Sequence, residues 1–257
     1  MAEDLEIKPL EIRQVPAANA WAWIVSGFEL FKANPAMWII ILLIYLAIII
    51  PISLIPIIGS VVSTLLAPVF AAGMMWGCKA LMHKQDLEIN HLFEGFKKNT
   101  TQLIAIGGIY MMSLLVIAVL VVLALDKETI ALLMKGQALS PEQASVMMLP
   151  ILIAMLFIMP ILMAYWYAPL LTGLHNLTAI DAMKLSFVAC LKNMLPFLLY
   201  GFIAALMLIP LGIIVSLTPQ SLHLFLLGAV MLVLAPIMIT SLYTSYVDVF
   251  NIAESVN

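Results

Sequence analysis

Between Ala144 and Leu174 the chain runs 31 residues without an Asp, Glu, Lys or Arg. At ~1.5 Å of rise per residue, a helix of that length is more than enough for a hydrocarbon core ~30 Å thick. Five further apolar runs follow the same rule: Ala36–Ile55, Ile57–Met82, Leu103–Leu125, Met194–Leu217 and Leu222–Val247. They have helical length and lack the ten-residue alternation of a membrane β-barrel. With 65% of residues hydrophobic and 10% charged, an all-α membrane protein with six transmembrane helices is predicted. Pro150, Pro160 and Pro169 predict a kinked or tilted fourth span.

A short motif is written three times ahead of these spans. Phe28–Asn34 reads FELFKAN, Phe93–Asn99 reads FEGFKKN, and a weaker copy, FVACLKN, lies at Phe187–Asn193. A second marker follows each copy in order: LAPVF at Leu66–Phe70, YAPLL at Tyr167–Leu171 and LAPIM at Leu234–Met238. We read three pseudo-repeats of an amphipathic helix plus a transmembrane hairpin, over residues 20–83, 86–175 and 179–247 of one domain, 20–247. Polar tails, 1–19 and 248–257, flank it. The amphipathic segments are Ala20–Lys32, Gln85–Lys98 and Ala179–Lys192, each with apolar residues opposing charged ones. The first carries Trp21, Ile24, Val25, Phe28 and Phe31 on one face. Asp126–Gln143 is a polar insertion, and Ser140-Pro141-Glu142-Gln143 has capping-box spacing to open the fourth span.

Topology follows from the basic residues. Lys8, Arg13, Lys32, Lys79, Lys84, Lys97, Lys98, Lys184 and Lys192 fall on the side of the tails and amphipathic segments, and only Lys127 and Lys135 on the other. Both termini are therefore expected in the cytoplasm. The segment Met1–Val15 holds Glu3, Asp4, Glu6 and Glu11 against Lys8 and Arg13, which is not a signal-peptide pattern.

Candidate chemistry is sparse. Asn34, Asn99 and Asn193 either line a shared polar site or, the simpler reading, cap the helices that follow them. Pro68, Pro169 and Pro236 either break helices around a transport path or kink them for packing against small residues. Every ionisable Asp, Glu, Lys or Arg falls near a helix end or in a loop, which argues against ion-coupled transport. Cys78, His83, His91, His175 and Cys190 fit no metal-ligand spacing, and the 18 methionines lack regular spacing. No GxSxG, Walker or dinucleotide glycine pattern occurs. No cofactor, metal or enzyme activity is expected, and a net charge of −3 gives no case for nucleic acid. The amphipathic segments are the candidate contact surface for membrane lipids or another integral membrane protein: Trp21, Phe28, Phe31, Phe93, Phe96, Lys97, Lys98 and Phe187.

The run Trp23–Phe28 (WIVSGF), the Asn34-Pro35 break, the turn Leu54–Gly59 (LIPIIG), Leu65–Phe70 (LLAPVF) and Leu92–Asn99 (LFEGFKKN) resemble a family of proteobacterial inner-membrane proteins. That family lies near the YciC-like and glycerophosphodiesterase membrane-domain groups. The resemblance covers Trp21–Asn99 closely and the remainder by layout. It implies a six-span protein of a bacterial inner membrane and brings no catalytic or binding residues. The soluble phosphodiesterase domain of some relatives has no counterpart in this sequence. The sequence thus points to a non-enzymatic accessory, scaffold or assembly subunit, with a small-molecule or lipid transporter or flippase as the alternative.

Overall fold

A computed structural model describes residues 10–137 and 140–252. Glu3, Asp4, Glu6, Lys8 and Pro9 of the tail, two residues of the insertion and residues 253–257 lie outside the described residues. Of the described residues 83% are helical, and none of them lies in a strand. In order the helices are α1 (Asn19–Ala33), α2 (Pro35–Ser53), α3 (Ile58–Met82), α4 (Thr100–Ala124), α5 (Lys127–Met134), α6 (Pro141–Trp166), α7 (Ala168–His175), α8 (Ala179–Lys192), α9 (Met194–Ser216) and α10 (Gln220–Val249), with a 3-10 turn at Ile89–Phe96 between α3 and α4. Six helical stretches are long and apolar enough to cross a membrane: α2, α3, α4, α6 with α7, α9 and α10.

Local chemistry sets most of the boundaries. Asn34 caps α2 by accepting from the Met37 N–H at 3.2 Å, and Pro35 takes the first helical position. Ser140 and Gln143 form the reciprocal capping box that opens α6, at 3.2 and 3.0 Å. In the insertion, Asp126 caps α5; the Thr129 backbone N–H and then its hydroxyl hold the Asp126 carboxyl below the usual carboxylate range. The α2–α3 turn closes through a γ-turn, in which the Ile58 N–H donates to the Pro56 carbonyl at 2.7 Å and Ile57 takes φ 64° and ψ −59°. That conformation is rare for a β-branched residue.

Two expected elements differ. The second amphipathic segment is not a helix over Gln85–Lys98; only Ile89–Phe96 is helical, and as a 3-10 turn. The cause is close packing, since a Cβ on Gly95 or on Gly73 would collide with the facing backbone at Val69 and Leu92 respectively. At three residues per turn Leu92 and Gly95 share one row, and both are buried. The fourth span is not one kinked helix either. It breaks at Tyr167 into α6 and α7.

α3 is the most buried span and packs on α2, the 3-10 turn, α4 and α7. The dense part of the molecule lies at one end of the bundle. There the C-terminal halves of α3 and α10, all of α7 and the first turns of α4 and α9 meet α1, the 3-10 turn and α8. Gly27 marks the closest approach of α1 to α10: a Cβ there would sit 2.6 Å from the Ser241 Cα and N. Gly201, by contrast, faces open space. Gly27→Ala should therefore cost about 1–3 kcal/mol, as overpacking does, while Gly201→Ala should be neutral or slightly stabilising. Thermal unfolding of the two variants in the same detergent checks the pair, and equal midpoints would refute the contact.

Candidate functional site

The dense end is built around a run of hydroxyls on α10, Thr240-Ser241-Leu242-Tyr243-Thr244-Ser245-Tyr246. Its four Thr and Ser residues are buried. Helical spacing sorts them into two rows. Thr240 and Thr244 face α1: their hydroxyls donate toward the Gly27 carbonyl at 2.8 Å and the Trp23 carbonyl at 2.9 Å. Ser241 and Ser245 meet phenols instead, Tyr200 at 2.6 Å and Tyr167 at 2.9 Å. His175 pairs with the Tyr246 hydroxyl. Sequence reasoning passed over this run as span filler. The i, i+4 spacing of Thr240 and Thr244, repeated by Ser241 and Ser245, was the available signal.

Asp248 ends the same helix and gathers three donors. It forms an ion pair with Arg13 and accepts from Asn19 Nδ2 at 2.7 Å and Trp23 Nε1 at 2.8 Å. The Arg13 backbone N–H donates to the Val249 carbonyl at 2.8 Å. Asn193 completes the strap: its Oδ1 accepts from the Val15 N–H at 2.9 Å and its Nδ2 donates to the Arg13 carbonyl at 3.0 Å. The first described residues are thus laid across the ends of α8, α9 and α10.

This overturns the capping role for two of the three repeat asparagines. Asn193 stands before α9 but makes no side-chain cap, because its amide is spent on the strap. Asn99 adopts the left-handed conformation, φ 55° and ψ 30°, and its Nδ2 donates to the Leu177 carbonyl at 3.1 Å and the Thr172 carbonyl at 3.4 Å. Only Asn34 caps. The three prolines also diverge. Pro68 and Pro236 lie inside continuous helices, whereas Pro169 sits in the first turn of α7, after the break; all three are buried.

At the break a serine takes over a helical hydrogen bond. In an unbroken helix the Tyr167 N–H would donate to the Met163 carbonyl. Here the buried Ser186 hydroxyl, from α8, accepts from Tyr167 N at 2.9 Å and donates to Met163 O at 2.7 Å. Broken-helix ends in a membrane need such substitutes.

The amphipathic residues divide by face. Trp21 and Phe28 are exposed, but Phe31 is buried at 6% exposure and turns inward with Trp23, Ile24 and Gly27, so it does not belong to an outer contact face. α8 buries its small residues, Ala182, Ser186, Ala189 and Cys190, and leaves Ile180 and Leu191 exposed with Phe187 half-buried. Burial pushes the Cys190 thiol up to about 12, so it is a packing group. Phe93 and Phe96 pack edge-on to Phe70 of α3, with centroids 6.5 and 5.1 Å away. Lys97 bonds Glu94 at 2.9 Å, and this, with Lys98 nearby, holds the Glu94 carboxyl below its usual range. Lys98 stands over the Trp76 ring at 3.7 Å from its centroid. No group of three or more His, Cys, Asp or Glu able to hold a metal ion occurs among the described residues.

The chain is 26% identical to a protein of Burkholderia thailandensis described as a "probable inner membrane protein", over 95% of this chain and 96% of that protein. No protein-family model matches the chain, so the YciC-like grouping gains no support there. No solved structure matches it.

Ser186→Ala should leave the Tyr167 N–H and the Met163 carbonyl without partners in a buried place, costing about 1–3 kcal/mol. Its unfolding midpoint in detergent should fall, and a midpoint equal to wild type would show that water or a shifted backbone replaces the hydroxyl at no cost.

Proposed function

We propose that this chain is a non-enzymatic, multi-pass protein of a bacterial inner membrane. In this reading it acts as an accessory, scaffold or assembly subunit, working through contacts with lipids and other membrane helices. The observation that carries the reading is the contrast between its two ends. At one end the buried hydroxyls of α10 are consumed by α1 carbonyls and by Tyr167 and Tyr200. At the other, long stretches of α4, α6, α9 and α10 present Leu, Ile, Met and Phe outward. A buried hydroxyl run on α10 whose partners all come from this chain suits a structural role, and a wide apolar exterior suits association within a bilayer. The relative's description supports the location.

The finer architecture belongs to the same proposal. Three units, each an interfacial segment followed by a hairpin, lie side by side, with the segments and both termini in the cytoplasm. α1, the 3-10 turn and α8 gathering at one end supports this, as does the excess of Lys and Arg there. A cysteine introduced at Gln137 should then react with a membrane-impermeant maleimide added to intact spheroplasts, and one at Lys32 only after lysis. The opposite pattern would invert the topology.

The break at Tyr167 favours one second reading, a small-molecule or lipid transporter or flippase, since discontinuous helices frame many transport paths. Gentle extraction followed by native mass spectrometry separates the two. A stoichiometric membrane-protein partner is the expected result. Recovery of a lone monomer carrying one enriched lipid class would count against the subunit role and favour the second reading.

A further inference from the structure

We propose that the cytoplasmic end of α3 carries a binding site for the phosphate of an anionic lipid headgroup, formed by Lys79, Lys98 and Trp76. The inference deepens the lipid-contact reading above and rests on it. Lys98 lies 3.7 Å and Lys79 5.1 Å from the centroid of the same indole ring, so two ammonium groups from different segments are held at one aromatic side chain. Like charges drawn together in this way favour an anion placed beside them. The chain supplies little negative charge there. Lys79 forms no ion pair among the described residues, and the nearby carboxylate, Glu94, bonds Lys97 at 2.9 Å and reaches Lys98 only at 3.8 Å. Lys79, Lys97 and Lys98 against Glu94 leave the cluster positive.

The protein itself covers the Trp76 N–H, so the indole takes part through its ring face, over which the two ammonium groups stand. Two ammonium groups held at one ring select a phosphate over a neutral ester carbonyl. Glycerol phospholipids with a net negative headgroup combine that phosphate with acyl chains that stay in the bilayer around the bundle. Lys97, one residue away, is excluded by its bond to Glu94.

The test uses the full chain in mild detergent with added phosphatidylglycerol or phosphatidylcholine, retention being read by native mass spectrometry. Wild type should keep one phosphatidylglycerol and shed phosphatidylcholine. Lys79→Gln with Lys98→Gln should retain it about thirty-fold more weakly, the equivalent of ~1 kcal/mol for each lysine. Trp76→Leu, which removes the aromatic platform, should weaken it several-fold, and Lys84→Gln should not. If the double variant does not fold, Lys98→Gln and Trp76→Leu alone decide the matter. Displacement of the lipid by millimolar inorganic phosphate would overturn the lipid assignment in favour of a soluble phosphate. Retention unchanged in the folded lysine and Trp76 variants would overturn the site. Because the same spectra report protein partners, a missing partner with phosphatidylglycerol still retained would refute the subunit role and leave this site standing.

Discussion

α1 and α10 touch backbone to backbone at Gly27, and the rest of the dense end depends on that contact. With no side chain between them, Thr240 and Thr244 come within hydrogen-bond reach of the Gly27 and Trp23 carbonyls. Those carbonyls already accept helical bonds, so the threonines use their second lone pairs. The same approach brings Trp23 Nε1 and Asn19 to Asp248. A carboxylate at the end of a membrane helix is costly unless its oxygens are occupied. Arg13 takes what is left, which draws the polar tail across the bundle and hands its backbone to Asn193. Each such bond is worth only ~1 kcal/mol. Their force lies in being mutually conditional: moving α1 by one side-chain width strands several buried groups together.

The spans were legible because their signal is one-dimensional. An uncharged run of sufficient length needs no partner to be recognised, and α8 and α9 begin where the sequence places them. Facing was harder. On α1 the bulky stripe of Trp21, Ile24, Val25, Phe28 and Phe31 suggested one contact face, but the helix is apolar nearly all round. Its inward face is chosen by the small residues that permit close approach, Ala20 and Gly27, and Phe31 follows them inside. Asparagine misled for a related reason. Capping is a local preference of a few tenths to ~2 kcal/mol, and a buried strap outbids it at Asn193, as the Thr172 and Leu177 carbonyls do at Asn99. No property of the FELFKAN motif distinguishes those fates, because the competing acceptors and donors lie far away in sequence.

Hydroxyls within apolar runs are the least legible feature. Thr and Ser in a span satisfy themselves by back-bonding to the preceding turn, and Ser113 and Ser216 do only that, at 2.8 Å. Thr240, Ser241, Thr244 and Ser245 make such local contacts as well. What separates them is a partner helix close enough to offer a second group, and that depends on Gly27 and on Tyr167 and Tyr200.

The break at Tyr167 shows why one Ala-Pro marker ends a helix while the other two do not. A proline removes one N–H and presses on the carbonyl four residues before it. In α3 and α10 these costs are absorbed within a continuous helix. Before Pro169 the geometry opens further, enough to separate the Tyr167 N–H from the Met163 carbonyl, and that is tolerable only because α8 inserts Ser186 between them. The first consequence is a side chain redirected: Tyr167 becomes fully buried, with its hydroxyl against Ser245. The second is that α7 can run independently of α6, close to α3, where Gly173 stands opposite Ala72. A serine on α8 thereby sets the course of α7. The tie between α8 and the α6–α7 break is a hydrogen bond that the helix had to give up.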